Sequence, residues 1–148
     1  MLKKPIKKIV ICDIDGTIAD NEHRQELLNS YKDWDKFFLA MKDDKPIMKV
    51  IDLIKQKQIE GKYISFITGR PERYREMTLD WLKEYFKFKF SLYMRKDNDS
   101  RSKLISKKEL FESNFKTASV DCCIDNDQEL LKMWKEMGLN CVDANKLL

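Results

Sequence analysis

Residues 9–18 of this 148-residue chain read Ile-Val-Ile-Cys-Asp-Ile-Asp-Gly-Thr-Ile. The stretch begins with apolar, mostly β-branched residues, and two carboxylates, Asp13 and Asp15, follow directly. A continuous apolar run of this kind is typical of a strand that is buried on both faces of a parallel sheet. Because ligands bind beyond the carboxyl ends of strands in open α/β sheets, the stretch predicts a functional site at its carboxylates.

The spacing of Asp13 and Asp15 suits paired chemistry. Residues two apart lie on the same side of an extended strand, and the flexible turn at Gly16 would let both carboxylates approach one point. A simpler interpretation is that Asp-Gly marks a tight turn whose carboxylates are solvated. The apolar strand before the pair and the hydroxyl of Thr17 after it favour a site over a simple turn.

The composition is typical of a soluble protein. The sequence has no window of about 18 uncharged apolar residues that could span a bilayer, and its first residues lack the apolar core of a signal peptide. We therefore expect a cytoplasmic protein without a membrane partner, folded as a single domain over residues 1–148. The formal charge of +4 is compatible with an anionic substrate. The four cysteines, which show no Cys-x-x-Cys spacing, are expected to be reduced and buried.

Strand and helix patterns alternate along most of the chain. Apolar runs predict further strands at 62–68, 90–94, 118–124 and 140–142. Amphipathic patterns predict helices from Pro46 to Gly61, from Pro71 to about residue 86, from Lys103 to about residue 112, and up to Gly138. This alternation predicts the α/β class, with a central parallel sheet of about five strands between two helical layers.

Residues 20–45 interrupt the alternation after the first strand. Apolar residues recur there at helical spacing, and Asp33 is placed to cap a helix; these apolar residues are Leu27, Tyr31, Trp34, Phe38 and Met41. We expect a small helical insertion near the site. The aromatic side chains of Trp34, Phe37 and Phe38 would form either core packing or a lid that stacks on a base.

Two later strands also end in polar groups. Thr68-Gly69-Arg70 follows the second predicted strand, and Asp125-Asn126-Asp127 follows the fourth. Because the carboxyl ends of parallel strands lie along one edge of a sheet, these groups are expected to meet Asp13 and Asp15. A loop and the helix after it add Asp99, Arg101, Lys103 and Lys107. Residues that only form tight turns would not explain so many charged and polar side chains at one edge of the sheet.

Grouped carboxylates of this kind predict a cation. Two carboxylates held about 4 Å apart repel by roughly 4 kcal/mol at an effective dielectric constant of about 20, and a nearby phosphate adds to the repulsion. Asp13 and Asp125, with oxygens of the first loop and water, are a sparse oxygen set of the sort that holds Mg²⁺ together with a substrate phosphate. A lysine on the opposite side could stabilise a transferring phosphoryl group.

These residues resemble the four motifs of the haloacid dehalogenase superfamily, whose members are aspartate-nucleophile phosphatases. The motif residues are Asp13-Ile-Asp-Gly-Thr17, Thr68 with Gly69-Arg70, a downstream lysine, and Asp125. Within that superfamily, the chain resembles the 3′-phosphatase domain of bacteriophage polynucleotide kinase. The resemblance lies in the stretches 68–76, 92–95 and 99–101, in Lys107, and in Ile124-Asp125, Met133-Trp134 and Gly138. The resemblance covers the whole chain and implies a Rossmann-like three-layer α/β/α sandwich with a small helical cap at about 20–45.

The resemblance also implies roles for individual residues. Asp13 would be the nucleophile that attacks phosphorus, and Asp15 the general acid and base. Asp13, the backbone carbonyl of Asp15 and Asp125 would hold Mg²⁺. Thr68 and a lysine would contact the transferred phosphoryl group.

Substrate residues and two open choices follow from the same resemblance. Arg24, Gly69, Arg70 and Arg101 are candidates for the remaining phosphates or the sugar edge of the substrate, because arginine suits bidentate phosphate contacts. The third-motif lysine is either Lys103 or Lys107, and the spacing from Asp99 and Arg101 favours Lys107. The family usually has a second aspartate where this chain has Asn126, so Asn126 or Asp127 could also serve as a metal ligand.

The leading hypothesis is a Mg²⁺-dependent phosphomonoesterase that works through an aspartyl-phosphate and removes 3′-phosphates from nucleic-acid ends or nucleotides. A small-molecule nucleotidase or another phosphatase is the alternative within enzymes, and a non-catalytic phosphate-binding accessory module is a third option. The sequence lacks a Gly-x-x-x-x-Gly-Lys-Ser/Thr loop, which predicts a free-standing phosphatase whose kinase or ligase would be a separate partner. The oligomeric state is not predicted.

Overall fold

The computed structural model describes residues 7–30 and 32–147. Five parallel strands form one sheet in the order β5-β4-β1-β6-β7, so the first strand occupies the centre. Their bounds are Ile9–Cys12 for β1, Tyr63–Pro71 for β4, Phe90–Arg95 for β5, Val120–Asp125 for β6 and Cys141–Asp143 for β7. Two short strands, β2 (Ala19–Asp20) and β3 (Lys45–Pro46), form a separate antiparallel pair.

Helices cover both faces of the sheet. Alternate residues of β1 point to opposite sides: Val10 packs in a core with α3 (Met48–Ile59) and α4 (Arg75–Tyr85). Ile11 packs in a second core with α5 (Lys103–Asn114) and α6 (Gln128–Glu136). The predicted three-layer α/β/α architecture with a five-stranded parallel sheet is therefore confirmed.

Two predicted helix starts differ from the structure, and both involve proline. Pro46 lies in β3 opposite Ala19, and the helix begins two residues later. Pro71 ends β4, where it pairs with Arg95 after a bulge, and α4 begins only at Arg75 after a short 3₁₀ turn. Proline fixes φ near −65°, which an extended residue tolerates as well as the first turn of a helix does, so local sequence did not distinguish them.

The predicted insertion is helical. Between β2 and β3 lie two short helices, α1 (Glu26–Asn29) and α2 (Trp34–Leu39), with 3₁₀ turns on either side. Asp33 caps α2 by accepting a hydrogen bond from the Lys36 amide at 3.0 Å. Tyr31, one of the apolar residues that predicted this segment, lies outside the described residues. We call residues 21–44 the insertion segment.

The aromatic residues of the insertion segment have two different environments. Phe37 and Phe38 are buried against Tyr74, which follows β4, so their role as core packing is confirmed. Trp34 stacks on Phe38 with ring centroids 5.9 Å apart, yet 57% of Trp34 is exposed. One large aromatic surface of the insertion segment therefore faces solvent.

Within residues 7–30 and 32–147, none of the helices combines the length and the apolar composition required to cross a bilayer. All four cysteines are free, and Cys12, Cys122 and Cys123 are buried.

Candidate active site

The ends of β1 and β6 bring two carboxylates together. The Asp13 amide donates to the carbonyl of Ile124 at 3.0 Å, which fixes the end of β1 beside Asp125. Asp125 is held in turn by its own loop, because its Oδ1 accepts hydrogen bonds from the amides of Asn126 and Asp127 at 2.8 and 3.1 Å. Both carboxylates are buried, with 8% of Asp13 and 2% of Asp125 exposed.

A single lysine lies between these carboxylates. Lys107, on the second turn of α5, donates from Nζ to Asp13 Oδ1 at 2.5 Å, and the same nitrogen lies 3.7 Å from Asp125 Oδ2. Burial and the Asp125 charge raise the pKa of Asp13 to about 7, even though Lys107 opposes the shift. Burial lowers the pKa of Lys107, but the two carboxylates outweigh it and the net shift is upward. Asp13, Asp125 and Lys107 together therefore carry a net negative charge inside the protein.

The two candidate lysines have different partners in the structure. Lys103 forms an ion pair with Asp127 at 2.6 Å, and 46% of its side chain is exposed. Asp127 also caps α6 through the amides of Glu129 and Leu130, so its carboxylate is engaged away from Asp13. Of the two lysines, Lys107 is the one placed at Asp13, as the spacing predicted.

The loop after β1 packs against the loop after β6. Thr17 Oγ1 lies 3.0 Å from Asp13 Oδ2 and 3.1 Å from Asn126 Oδ1, and its one proton can be donated to either. Gly16 has φ +76°, and a Cβ added there would lie 2.5 Å from Asn126 Nδ2. Glycine is therefore required at position 16 both by backbone conformation and by space. Asn126 thus contacts the loop after β1 through Thr17. That Asn126 binds a metal stays a prediction.

Asp15 is paired with two arginines. Arg24 Nη2 donates to Asp15 Oδ1 at 2.6 Å, and Arg70 Nη2 donates to the same oxygen at 2.8 Å. Burial would raise the pKa of Asp15, but Arg70 and Arg24 outweigh it and hold the pKa below its usual value. Both arginine side chains have 0% exposure, whereas 25% of the Asp15 side chain is exposed. Both guanidinium groups are engaged inside the protein, and the substrate contacts expected of Arg24 and Arg70 stay predictions.

Asp44 is a residue of this cluster that the sequence did not reveal. It is 4% exposed and accepts hydrogen bonds from both Arg24 and Arg70. In the sequence it stands in the run Asp43-Asp44-Lys45, which is indistinguishable from an exposed charged turn. Asp43, the preceding residue, is indeed exposed.

The remaining predicted residues have different surroundings. Thr68 is buried at the sheet edge, and its hydroxyl oxygen accepts a hydrogen bond from the Arg70 amide at 3.1 Å. Gly69 is half-buried, with open space where a Cβ would stand. Arg101 lies before α5, and its guanidinium contacts Asp99 and Glu109. Asp99 in turn accepts a hydrogen bond from Ser106 at 2.8 Å, so this loop anchors the turn that carries Lys107.

The donor set fits a divalent cation. Asp13 and Asp125 contribute two negative charges and Lys107 one positive charge, which leaves an excess of one negative charge inside the protein. The upward shift of the Asp13 pKa shows that this excess is costly. Carboxylate oxygens are among the ligands that Mg²⁺ prefers, and Asp13 and Asp125 bring two of these groups together at the sheet edge. Within residues 7–30 and 32–147, no third His, Cys, Asp or Glu completes a metal-binding group with them.

The fold is similar to that of a solved phosphatase structure. The chain superposes on a class C acid phosphatase from Bacillus anthracis with a TM-score of 0.61 at 16% identity, covering 91% of this chain and 63% of that one. The family model that matches the chain places it among the phosphatases of the haloacid dehalogenase superfamily. More narrowly, the chain belongs to the family described as the polynucleotide kinase PNKP phosphatase domain, whose model matches residues 7–146.

Two further relatives agree with this family. A chain of the Pnkp1/Rnl/Hen1 RNA repair complex is 30% identical with a TM-score of 0.77, covering 93% of this chain and 42% of that one. A protein of Autographa californica nuclear polyhedrosis virus, named as a bifunctional polynucleotide kinase/RNA ligase, is 26% identical over 138 residues, which are 91% of this chain and 19% of the viral protein. The chain thus spans less than half the length of either relative.

Proposed function

We propose that this phosphatase is a Mg²⁺-dependent phosphomonoesterase that removes the 3′-phosphate from a nucleic-acid end through an aspartyl-phosphate on Asp13. The observation that carries the proposal is the buried Asp13 carboxylate, held at once by Lys107 and Thr17 beside Asp125. A buried carboxylate with this fixed orientation and a raised pKa is suited to attack on phosphorus.

In the first step, an oxygen of Asp13 forms a bond to phosphorus as the bond between phosphorus and the 3′-oxygen breaks. The departing oxygen takes a proton from Asp15, the partly exposed carboxyl of the site, which must first take up that proton against the downward shift that Arg70 and Arg24 impose on its pKa. In the second step, Asp15 takes a proton from water as the water oxygen attacks the phosphorus of the aspartyl-phosphate. The bond between phosphorus and Asp13 then breaks, and inorganic phosphate leaves.

Lys107 and Thr68 would contact the phosphoryl oxygens during both steps. Lys107 is already beside the nucleophilic carboxylate, so it would stabilise charge that develops on the phosphoryl group without a large movement. Mg²⁺, held by Asp13, Asp125 and the Asp15 carbonyl, would supply further neutralisation of the phosphoryl charge.

A nucleic-acid end as substrate is supported by the family and by one surface feature. The family is that of polynucleotide kinase phosphatase domains, and the relatives carry names from RNA repair. The exposed ring of Trp34 offers a flat surface on which a base can stack. Gly69 and Arg101 remain candidates for substrate contact at the edge of the site, and a separate kinase or ligase is the expected partner.

The proposal is tested by a substrate panel in the presence of Mg²⁺. Oligonucleotides with a 3′-phosphate, the same oligonucleotides with a 5′-phosphate, and 3′-mononucleotides are compared by kcat/KM for phosphate release. The expected order places the 3′-phosphorylated oligonucleotide first. A preference for mononucleotides would select the nucleotidase alternative, and Mg²⁺-dependent binding without release from any substrate would select a non-catalytic module.

Replacement of Asp125 by Asn tests the metal assignment. The variant should need at least about tenfold more Mg²⁺ for half-maximal activity, because one of two anionic ligands becomes neutral. The matched control is Asp127→Asn, which removes a charge two residues away but keeps an effective N-cap for α6. Equal Mg²⁺ requirements in the two variants would contradict Asp125 as a ligand. Mg²⁺ titrations of the phosphatase rate provide the measurement.

A further inference from the structure

A surface groove lies between the end of the insertion segment and α4, with a volume of about 620 Å³. We call it the α4 groove. The described residues that line it include neither Asp13 nor Lys107, so the phosphatase reaction does not account for it. We propose that the α4 groove docks a basic amphipathic helix of a partner protein. Apolar side chains of that helix would enter the groove, and its lysine or arginine side chains would lie along an acidic wall.

The floor of the α4 groove is apolar. Met77 and Trp81, one turn apart on α4, line it together with Tyr74, and the insertion segment contributes Leu39. Trp81 is 4% exposed, whereas Leu39 is 50% exposed. Trp81 Nε1 donates to the Asp44 carbonyl at 3.0 Å, so the polar atom of the indole is already satisfied inside the protein. The groove therefore offers a fixed apolar surface that large apolar side chains of a partner can cover.

One wall of the α4 groove is acidic. Glu76, Asp80 and Glu84 stand four residues apart on α4, and all three are exposed. In the part of the chain that the structure describes, none of these carboxylates forms an ion pair. Like charges at this spacing destabilise a helix, and cations of a partner would relieve the repulsion.

The cations beside the α4 groove do not cancel this charge. Arg73 is engaged elsewhere, because its guanidinium lies 3.4 Å from Asp35 and 3.9 Å from Asp97. Lys42 is the other cation among the described lining residues, one charge against three. The whole chain has a formal charge of +4, so the acidic wall departs locally from the overall charge. Such a wall repels the phosphates of nucleic acid and attracts a basic protein surface.

A helix is the occupant whose pattern matches both features of the α4 groove. Residues four apart on a helix are separated by about 6 Å along its axis, so cations at that spacing on a second helix repeat in step with the carboxylates of α4. Apolar residues three or four positions apart would then face the groove, which is how amphipathic helices bind in hydrophobic grooves.

A synthetic peptide provides the probe. It has about 18 residues, with leucine on one face of the helix and lysine beside it. By fluorescence anisotropy, the whole chain should bind this lysine peptide at least about tenfold more tightly than the same peptide with glutamate in place of lysine. A lysine peptide with prolines at its centre, which break the helix, should also bind at least about tenfold more weakly. Equal binding of the lysine peptide and either control peptide would overturn the inference.

Two variants locate the binding surface. Asp80→Lys should weaken binding of the lysine peptide at least about tenfold, and Leu39→Ser should weaken it at least about threefold. Asp80→Lys places a cation four residues from Glu76 and from Glu84, so α4 should be retained. The matched control is Glu112→Lys, the same change of charge at an exposed residue of α5, which should change the Kd less than about threefold. Equal weakening by Asp80→Lys and Glu112→Lys would show attraction to net charge alone and would overturn the inference.

Other occupants would give different results. If the α4 groove joined two copies of this chain, sedimentation would show a dimer that Leu39→Ser dissociates, and the inference of a basic partner would be overturned. In Asp13→Asn, the lysine peptide should shift the NMR signals of Leu39 and Met77, and a 3′-phosphorylated oligonucleotide alone should leave them unchanged. Shifts caused by the oligonucleotide would assign the groove to nucleic acid instead. Because docking requires no turnover, failure of the phosphatase assignment would leave the peptide measurements intact.

Discussion

Replacing Asp13 by Asn should abolish turnover, with a fall in kcat of at least about 10⁴-fold for the 3′-phosphorylated oligonucleotide. The amide keeps the shape of the side chain but is not a nucleophile, so no bond to phosphorus can form. Phosphate release under saturating substrate and Mg²⁺ measures the loss. Mass spectrometry of acid-quenched reactions should find one added phosphoryl group on the wild-type chain and none on Asp13→Asn.

The variant should remain folded, because a neutral amide at this position would relieve the repulsion between two buried carboxylates while Lys107 stays paired with Asp125. The same change at Asp20, which is exposed at the end of β2, is a matched control and should retain full activity. Undiminished turnover in Asp13→Asn with no phosphoryl adduct on the wild-type chain would refute the covalent mechanism.

The second large effect is expected at Lys107. Lys107→Met should lower kcat/KM by about 10²- to 10³-fold, because a charge aimed at the phosphoryl group is lost while the alkyl stem is kept. It should also destabilise the fold by about 3–5 kcal/mol in metal-free buffer at pH 8, since Asp13 and Asp125 are then buried without a cation. Steady-state kinetics and denaturant unfolding measure the two effects.

The same change one turn earlier in α5 provides the control. Lys103→Met removes an exposed ion pair with Asp127, which is worth about 0–1 kcal/mol, and should leave kcat/KM near the wild-type value. Addition of Mg²⁺ should restore part of the stability lost in Lys107→Met, because the metal compensates the same two carboxylates. If Lys103→Met proved the more damaging of the two, the assignment of the phosphoryl-contacting lysine would be reversed.

Most of the sheet was predictable because β1 is a continuous apolar run and β6 is mostly apolar. Such runs are distinctive, and the parallel order follows from helices alternating with strands. The errors concern Pro46 and Pro71, where the pairing partner of each residue decides between strand and helix. That partner is distant in the sequence, so local pattern carries no information about it.

The site was predictable to the extent that its residues stand at strand ends. Asp13, Thr68 and Asp125 follow apolar runs, and topology then brings them to one edge. The choice of Lys107 rested on spacing and agrees with the geometry. Asp44 could not be found, because its partners lie 20 and 26 residues away and its immediate neighbours are charged and exposed. Burial of the arginines was missed for the same reason: arginine is seldom fully buried unless it is paired.

The ion-paired group of Asp15, Arg24, Asp44 and Arg70 limits how freely this phosphatase domain can be re-engineered. Exchange of the segment after the first strand would be one way to alter substrate range. Here a chimera with a foreign segment would keep the sheet and Asp13, yet it would lose Arg24 and Asp44 together. Arg70 would then share Asp15 with no balancing partner. A graft that aims only at specificity must therefore carry both residues, in register, along with the new surface.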